Sequence, residues 1–213
     1  DDTVNYTLSR TNGENVGEYS IKVNLGENPN YDVTTVNGTF KITKKAATVT
    51  ADDLNKVYGE DDPELTATVE GTVGDDTLNY TLSRAKGENV DEYETKVTLG
   101  KNPNYDVTTV NGTFKITKKE ATVTANNLSK VYREDDPELT ATVEGTVGDD
   151  TINYTLSREE GENAGEYAIT VTPGESPNYD VTALNGVFTI MKKSADVTVT
   201  ANNLGKVYGE DDP

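Results

Sequence analysis

Carboxylates set in tight turns are the first residues in this chain that could do chemistry. Glu60-Asp61-Asp62 and Asp75-Asp76 recur as Glu134-Asp135-Asp136 and Asp149-Asp150. Hard oxygen ligands crowded on turns suit Ca²⁺. Asp61, Asp62, Asp75, Asp76, Asp135, Asp136, Asp149 and Asp150 are therefore the candidate metal ligands, and Ca²⁺ is the one cofactor the sequence suggests. The spacing lacks the pattern of a closed calcium loop such as the EF-hand. The plainer reading is a solvated turn in which Asp accepts local backbone N–H groups. Paired carboxylates also serve glycoside cleavage. Here each pair is adjacent in sequence, copied from repeat to repeat and set in a polar turn, and the chain has no His and no Cys. No residue is assigned a catalytic role, and the chain reads as a non-enzyme.

Three other patterns carry sharper chemistry beside a plainer alternative. Tyr31-Asp32, Tyr105-Asp106 and Tyr179-Asp180 could offer a sugar-stacking face, but period two predicts an inward Tyr followed by an outward Asp. Lys44 and Lys56 lie near Asn-rich segments, which raises a self-formed Lys–Asn isopeptide link. That link needs three side chains converging in a core, and surface charge is the simpler expectation for both lysines. Lys-Lys at 44–45, 118–119 and 192–193 falls at repeat junctions, facing acidic turns. Interdomain ion pairs are expected there, each contributing only ~0–1 kcal/mol if exposed.

Composition narrows the partners. The chain of 213 residues has a net charge of −19, which disfavours nucleic acid and anionic membrane surfaces. No apolar run is long enough for membrane insertion, and no signal peptide is evident. Absence of cysteine leaves core, turns and hydrogen bonds to hold the fold. With 33% hydrophobic residues, three Phe and no Trp, bulky core material is scarce, and the twelve Tyr supply part of it.

Self-similarity organises the whole chain. Lys56-Val57-Tyr58-Gly59-Glu60-Asp61-Asp62-Pro63 returns 74 residues later at Lys130 and again, after 76, at Lys206, the extra two residues lying in Ser194–Thr198. This gives two full repeats, 46–119 and 120–193. Residues 1–45 read as the C-terminal part of a repeat, and 194–213 as the N-terminal part of the next. An alternative phasing, 1–63, 75–137 and 149–213, makes 64–74 and 138–148 connectors. Either way the sequence reads as a piece cut from a longer array.

Within 46–119 every segment alternates with period two, the signature of strands. Ala47, Val49, Ala51, Leu65, Ala67, Val69, Leu78, Tyr80, Leu82, Tyr93, Val97, Leu99, Tyr105, Val107, Phe114 and Ile116 form the expected core. Six short strands are expected, the last two forming a hairpin around a type I′ turn at Asn111-Gly112. The expected fold is all-β: tandem small antiparallel β-sandwich (Ig-like) repeats in an elongated rod, with helix-less β-grasp-like repeats as the alternative. Repeats pass into one another without a Gly/Ser linker, which predicts limited hinge freedom.

Ala47-Thr48-Val49-Thr50-Ala51, Lys56-Val57-Tyr58-Gly59, Asp62-Pro63, Gly71, Asp76-Thr77-Leu78, Gly87-Glu88-Asn89, Tyr93, Asn104-Tyr105 and Phe114-Lys115-Ile116-Thr117 together resemble the MBG domain of the YGX type. The resemblance covers essentially the whole chain. It implies tandem, non-catalytic repeats of a bacterial adhesin-like surface protein, extracellular and attached to the cell wall through other parts. Two positions depart from the pattern: Arg133 stands where its counterparts are Gly59 and Gly209, and Asp91 where they are Gly17 and Gly165. If either glycine needs positive φ, its replacement costs roughly 0.5–2 kcal/mol.

The first expectation for function is a stalk or spacer that projects a distal binding domain, its repeats partnering their neighbours in the same chain. The second is repeats that bind a host or matrix ligand, glycan or protein, through avidity. The third is a surface fibre assembled head to tail, because 194–213 supplies the opening of a repeat and 1–45 its close.

Overall fold

A computed structural model describes residues 3–195 and 197–213. Asp1 and Asp2, where the alternative phasing begins, and Asp196, inside the two-residue insertion, lie outside the described residues. The chain divides into two compact units, Asp1–Lys119 and Glu120–Pro213. The described residues hold strands and turns and no helix, as tandem all-β repeats require.

The first unit opens with β1 (Tyr6–Arg10), β2 (Gly17–Leu25) and β3 (Gly38–Ile42). They form an antiparallel sheet in the order β1-β2-β3. A full repeat follows: β4 (Lys45–Ala51), β5 (Leu54–Val57), β6 (Ala67–Glu70), β7 (Tyr80–Arg84), β8 (Glu92–Leu99), β9 (Tyr105–Val110) and β10 (Gly112–Thr117). These strands make two sheets, β6-β4-β9 and β5-β10-β8-β7. The Thr-, Val- and Tyr-rich alternation suits a pleated, half-buried surface.

The pairing is mixed. β4 runs antiparallel to β6 and parallel to β9, and β10 runs antiparallel to β8 and parallel to β5. β9 and β10 therefore belong to different sheets, and the expected hairpin at Asn111-Gly112 does not form. The reason is local. Asn111 Oδ1 accepts a hydrogen bond from the backbone N–H of Val97 at 3.1 Å, and its Nδ2 donates to Glu94 at 2.8 Å. A Cβ on Gly112 would sit 2.6 Å from the Ala51 carbonyl oxygen. The Asn-Gly pair is thus a crossing point that lets the backbone pass from one sheet to the other against β4. β5 is a further strand that period two did not reveal, because four residues are too few to establish it.

Ala47, Val49, Ala51, Leu78, Val97 and Tyr105 form one buried cluster, flanked by Ala67, Val69, Tyr80, Leu82 and Val107. Phe114 and Ile116 are also buried. Leu65 and Tyr93 are half-buried, and Leu99 is exposed near the end of β8, contrary to expectation. Thr95 is fully buried instead, on the same face of β8 as Val97.

The second unit repeats this plan with β11 (Lys119–Ala125), β12 (Leu128–Val131), β13 (Ala141–Glu144), β14 (Tyr154–Arg158), β15 (Gly165–Pro173), β16 (Tyr179–Leu184) and β17 (Gly186–Met191). Its sheets run β13-β11-β16 and β12-β17-β15-β14. Asn185 again accepts from the N–H of Val171, at 3.1 Å.

Candidate functional site

The densest chemistry in each full repeat is a cluster of four charged side chains under the loop that follows β5. Leu54 and Lys56 share a parity on that short strand, so the lysine points inward. Its side chain is only 4% exposed. The chain then turns at Tyr58–Glu60: the N–H of Glu60 bonds the Val57 carbonyl at 3.1 Å, and the Glu60 carboxylate accepts from the Val57 N–H at 3.1 Å. Gly59 takes φ 82°, a left-handed conformation that glycine adopts without steric cost. The loop thereby returns Asp62 over Lys56, with Nζ 2.7 Å from Oδ1.

Arg84, at the end of β7, completes the arrangement. Its Nε lies 2.5 Å from Asp62 Oδ2, its Nη1 donates to the Gly87 carbonyl at 2.7 Å, and its Nη2 pairs with Glu88. Glu88 also binds the ammonium of Lys56. The guanidinium lies over the Phe114 ring, 4.8 Å from its centroid, and 5.6 Å from that of Tyr93, a cation–π arrangement on a core aromatic.

The electrostatics follow from this geometry. The hydrogen bond from Arg84, joined by Lys56, holds the Asp62 carboxyl at about 2. Lys56, then Arg84, lower Glu88. Burial alone would push Lys56 down, but Asp62 and Glu88 together raise it. Hydrogen bonding to Asp62 raises Arg84. Two cations and two carboxylates neutralise one another, so the cluster fastens the loop to the end of β7 and to β10.

The second full repeat rebuilds the same cluster. Lys130 Nζ is 2.6 Å from Asp136 and 2.5 Å from Glu162. Arg158 is 2.6 Å from Asp136 and 2.5 Å from Glu162. The Arg158 guanidinium lies 4.9 Å from the centroid of Phe188. Arg158 lowers Asp136 first, and Asp136 in turn raises Lys130 and Arg158.

These facts place the residues singled out from the sequence. Asp62 and Asp136 are ion-paired. Asp76 accepts a hydrogen bond from the Tyr105 hydroxyl at 2.5 Å, while that hydroxyl accepts one from the Val73 N–H at 3.0 Å. The bond to Asp76 raises the phenol's pKa. Asp150 and Val147 hold Tyr179 in the same way, at 2.5 and 2.9 Å. Asp61, Asp75, Asp135 and Asp149 are exposed. Among the described residues no group of three or more carboxylates converges as a metal would need.

Tyr105 and Tyr179 are buried while Asp106 and Asp180 face outward. Tyr31 is 47% exposed, since among the described residues the β1-β2-β3 sheet has no second sheet formed against it.

The plain expectation of surface charge fails for Lys56, which is buried among acids, and holds for Lys44, which is exposed. Among the described residues the paired lysines at 44–45, 118–119 and 192–193 make no ion pair. The junction within the first unit is instead fastened by an amide. Asn104 Oδ1 accepts from the Val16 N–H at 3.0 Å, its Nδ2 donates to Asn15 at 2.9 Å, and its carbonyl accepts from the Lys45 N–H at 3.0 Å.

A family model for the MBG domain, YGX type, matches residues 1–41, 47–115 and 121–189. The chain belongs to the MBG domain family. No curated protein matches it. In the MBG repeats described above, the Tyr58-Gly59 pair is the turn that brings Asp62 back to Lys56. Its copy, Tyr132-Arg133, keeps that turn at φ 72° with a non-glycine residue. Asp91, the other departure, stands where Gly17 and Gly165 do not adopt positive φ. Neither the family nor the all-β fold is typical of enzymes.

Proposed function

We propose that these MBG repeats are non-enzymatic spacers in the extracellular part of a bacterial surface adhesin, carrying a distal binding domain away from the cell. The observation that carries this reading is the amide clamp at the junction inside the first unit. β3 ends at Ile42 and β4 begins at Lys45, and Asn104 bonds both the preceding repeat and Lys45. A module whose polar residues fasten it to its neighbour suits a fixed spacing better than a mobile tether. The charged cluster supports the same reading, because its groups are spent on one another. High negative charge keeps such an array soluble.

The test has two parts. The purified chain should bind no member of a panel of glycans and matrix proteins. In the surface-displayed parent, deleting residues 120–193 should shorten the reach of the distal domain and leave its ligand affinity unchanged. Saturable binding by the purified chain would contradict the spacer reading.

A further inference from the structure

The acceptor pattern for an N-linked sugar, Asn-x-Ser/Thr, occurs in the two full repeats at Asn79, Asn111, Asn127 and Asn153. Three of these side-chain amides hold the fold. Asn111 bonds both Val97 and Glu94, and Asn127 Oδ1 accepts from the Val187 N–H at 2.7 Å. Asn153 Nδ2 donates to the Glu175 carbonyl at 2.9 Å. A sugar transferase must draw the acceptor amide into its own site, which breaks these bonds.

Asn79 is relieved of that duty by Asn102. It is exposed at the end of the loop before β7, and Asn102 holds its backbone from both sides. Asn102 Oδ1 accepts from the Asn79 N–H at 2.7 Å, and Asn102 Nδ2 donates to the Asn79 carbonyl at 3.0 Å. Gly100 leaves room for the carboxamide, since a Cβ there would lie 2.5 Å from Asn79 Cγ. Among the described residues the side-chain amide of Asn79 has no hydrogen-bond partner. In repeat 120–193 Ser176 replaces Asn102 and meets the Asn153 N–H at 3.3 Å, and the Asn153 amide turns onto the loop itself. Thr81, which completes the pattern at Asn79, is exposed on β7, at the edge of its sheet.

We propose that Asn79 is an acceptor for N-linked glycosylation. Its amide nitrogen attacks the anomeric carbon of a phosphate-activated sugar. A C–N bond forms, the anomeric C–O bond breaks, the phosphate leaves with the electron pair, and the nitrogen loses one proton. The Asn79 amide enters a transferase without breaking any side-chain bond of the fold, whereas Asn111, Asn127 and Asn153 must each give one up. Asn79 also lies beside the free edge of β7, where a bulky, solubilising group blocks pairing with a strand of another molecule.

Mass spectrometry of the parent protein, purified from its own cells and digested with trypsin, tests this. Trypsin releases residues 57–84 as a peptide in which Asn79 is the sole asparagine. That peptide should carry one or more hexose or N-acetylhexosamine units. Asn111, Asn127 and Asn153 should each be modified several-fold less. Thr81→Val keeps the asparagine and the shape and should remove the sugar. Asn102→Ser, which copies Ser176, should lower the occupied fraction at Asn79 toward that at Asn153. A bare Asn79 in the unaltered protein would overturn the proposal, as would sugar that survives Thr81→Val or equal occupancy at all four asparagines.

Discussion

The ammonium of Lys56 sits 2.7 Å from Oδ1 of Asp62, with the lysine side chain 4% exposed and the aspartate 39% exposed. The buried partner is thus the one with the long aliphatic stem, and the acid is held from the solvent side. This asymmetry tells which half of the pair the repeat depends on. A lysine drawn inward needs its carboxylates, whereas Asp62 and Glu88 keep Arg84 and water if the lysine is lost.

Lys56→Met keeps the apolar stem and deletes the charge. It takes one of two cations from Asp62 and Glu88, which keep Arg84 and water, and is expected to cost about 1 kcal/mol. Amide hydrogen exchange checks it: β5 and β10 should exchange faster, while β11 to β17 are unchanged.

Acid should loosen the same loop. The Asp62 carboxyl is held at about 2, below its ordinary 3.8, and Glu88 is also lowered. A depressed carboxylate contributes stability that is fully present above the ordinary value and lost as pH falls through the folded one. Stability of repeat 46–119 should therefore decline from about pH 4 down toward pH 2. Asp62→Asn should flatten that decline while lowering stability at neutral pH, as measured by denaturant midpoints across the pH range.

The buried Thr95 hydroxyl has no hydrogen-bond partner among the described residues. The same position in the other full repeat is Ile169, also fully buried. An unmet buried hydroxyl costs about 1–3 kcal/mol. Thr95→Val, which keeps the shape, is expected to stabilise repeat 46–119 by about 1 kcal/mol. The reverse change at the sister site, Ile169→Thr, should destabilise repeat 120–193 by more, because volume is lost as well.

Arg133 occupies the left-handed region at φ 72°, where an L side chain costs roughly 1–2 kcal/mol. Its guanidinium lies 5.4 Å from the Tyr132 centroid, which recovers about 0.5 kcal/mol at an exposed site. Arg133→Gly should therefore stabilise its repeat by about 1 kcal/mol. Gly165→Asp, which copies Asp91 at a position without positive φ, should be near neutral. Thermal unfolding of the two variants separates these outcomes.

Period two revealed the core because one parity of each strand is buried and the other wet, as at Ala47, Val49 and Ala51. Asn111-Gly112 misled because the pair has two uses. It makes a tight hairpin, and it also supplies an amide that bonds Val97 together with a residue small enough to pass Ala51. Local sequence does not distinguish them, since the deciding contact comes from a strand some sixty residues earlier. Lys56 was hidden for a related reason. A single lysine in a polar loop reads as surface charge until Arg84 and Glu88 are brought beside it. The available signal was recurrence: Lys56, Asp62, Arg84 and Glu88 all return together as Lys130, Asp136, Arg158 and Glu162.

The most direct test of the spacer account is backbone ¹⁵N relaxation of the 213-residue chain, comparing the amides of β1 to β3 with those of β4 to β10. Clamping by Asn104 predicts one shared rotational correlation time for the two sets, and Asn104→Ala should split it while leaving both sets folded. Independent tumbling in the unaltered chain would contradict the account, because repeats that move freely at their junction cannot hold a fixed spacing.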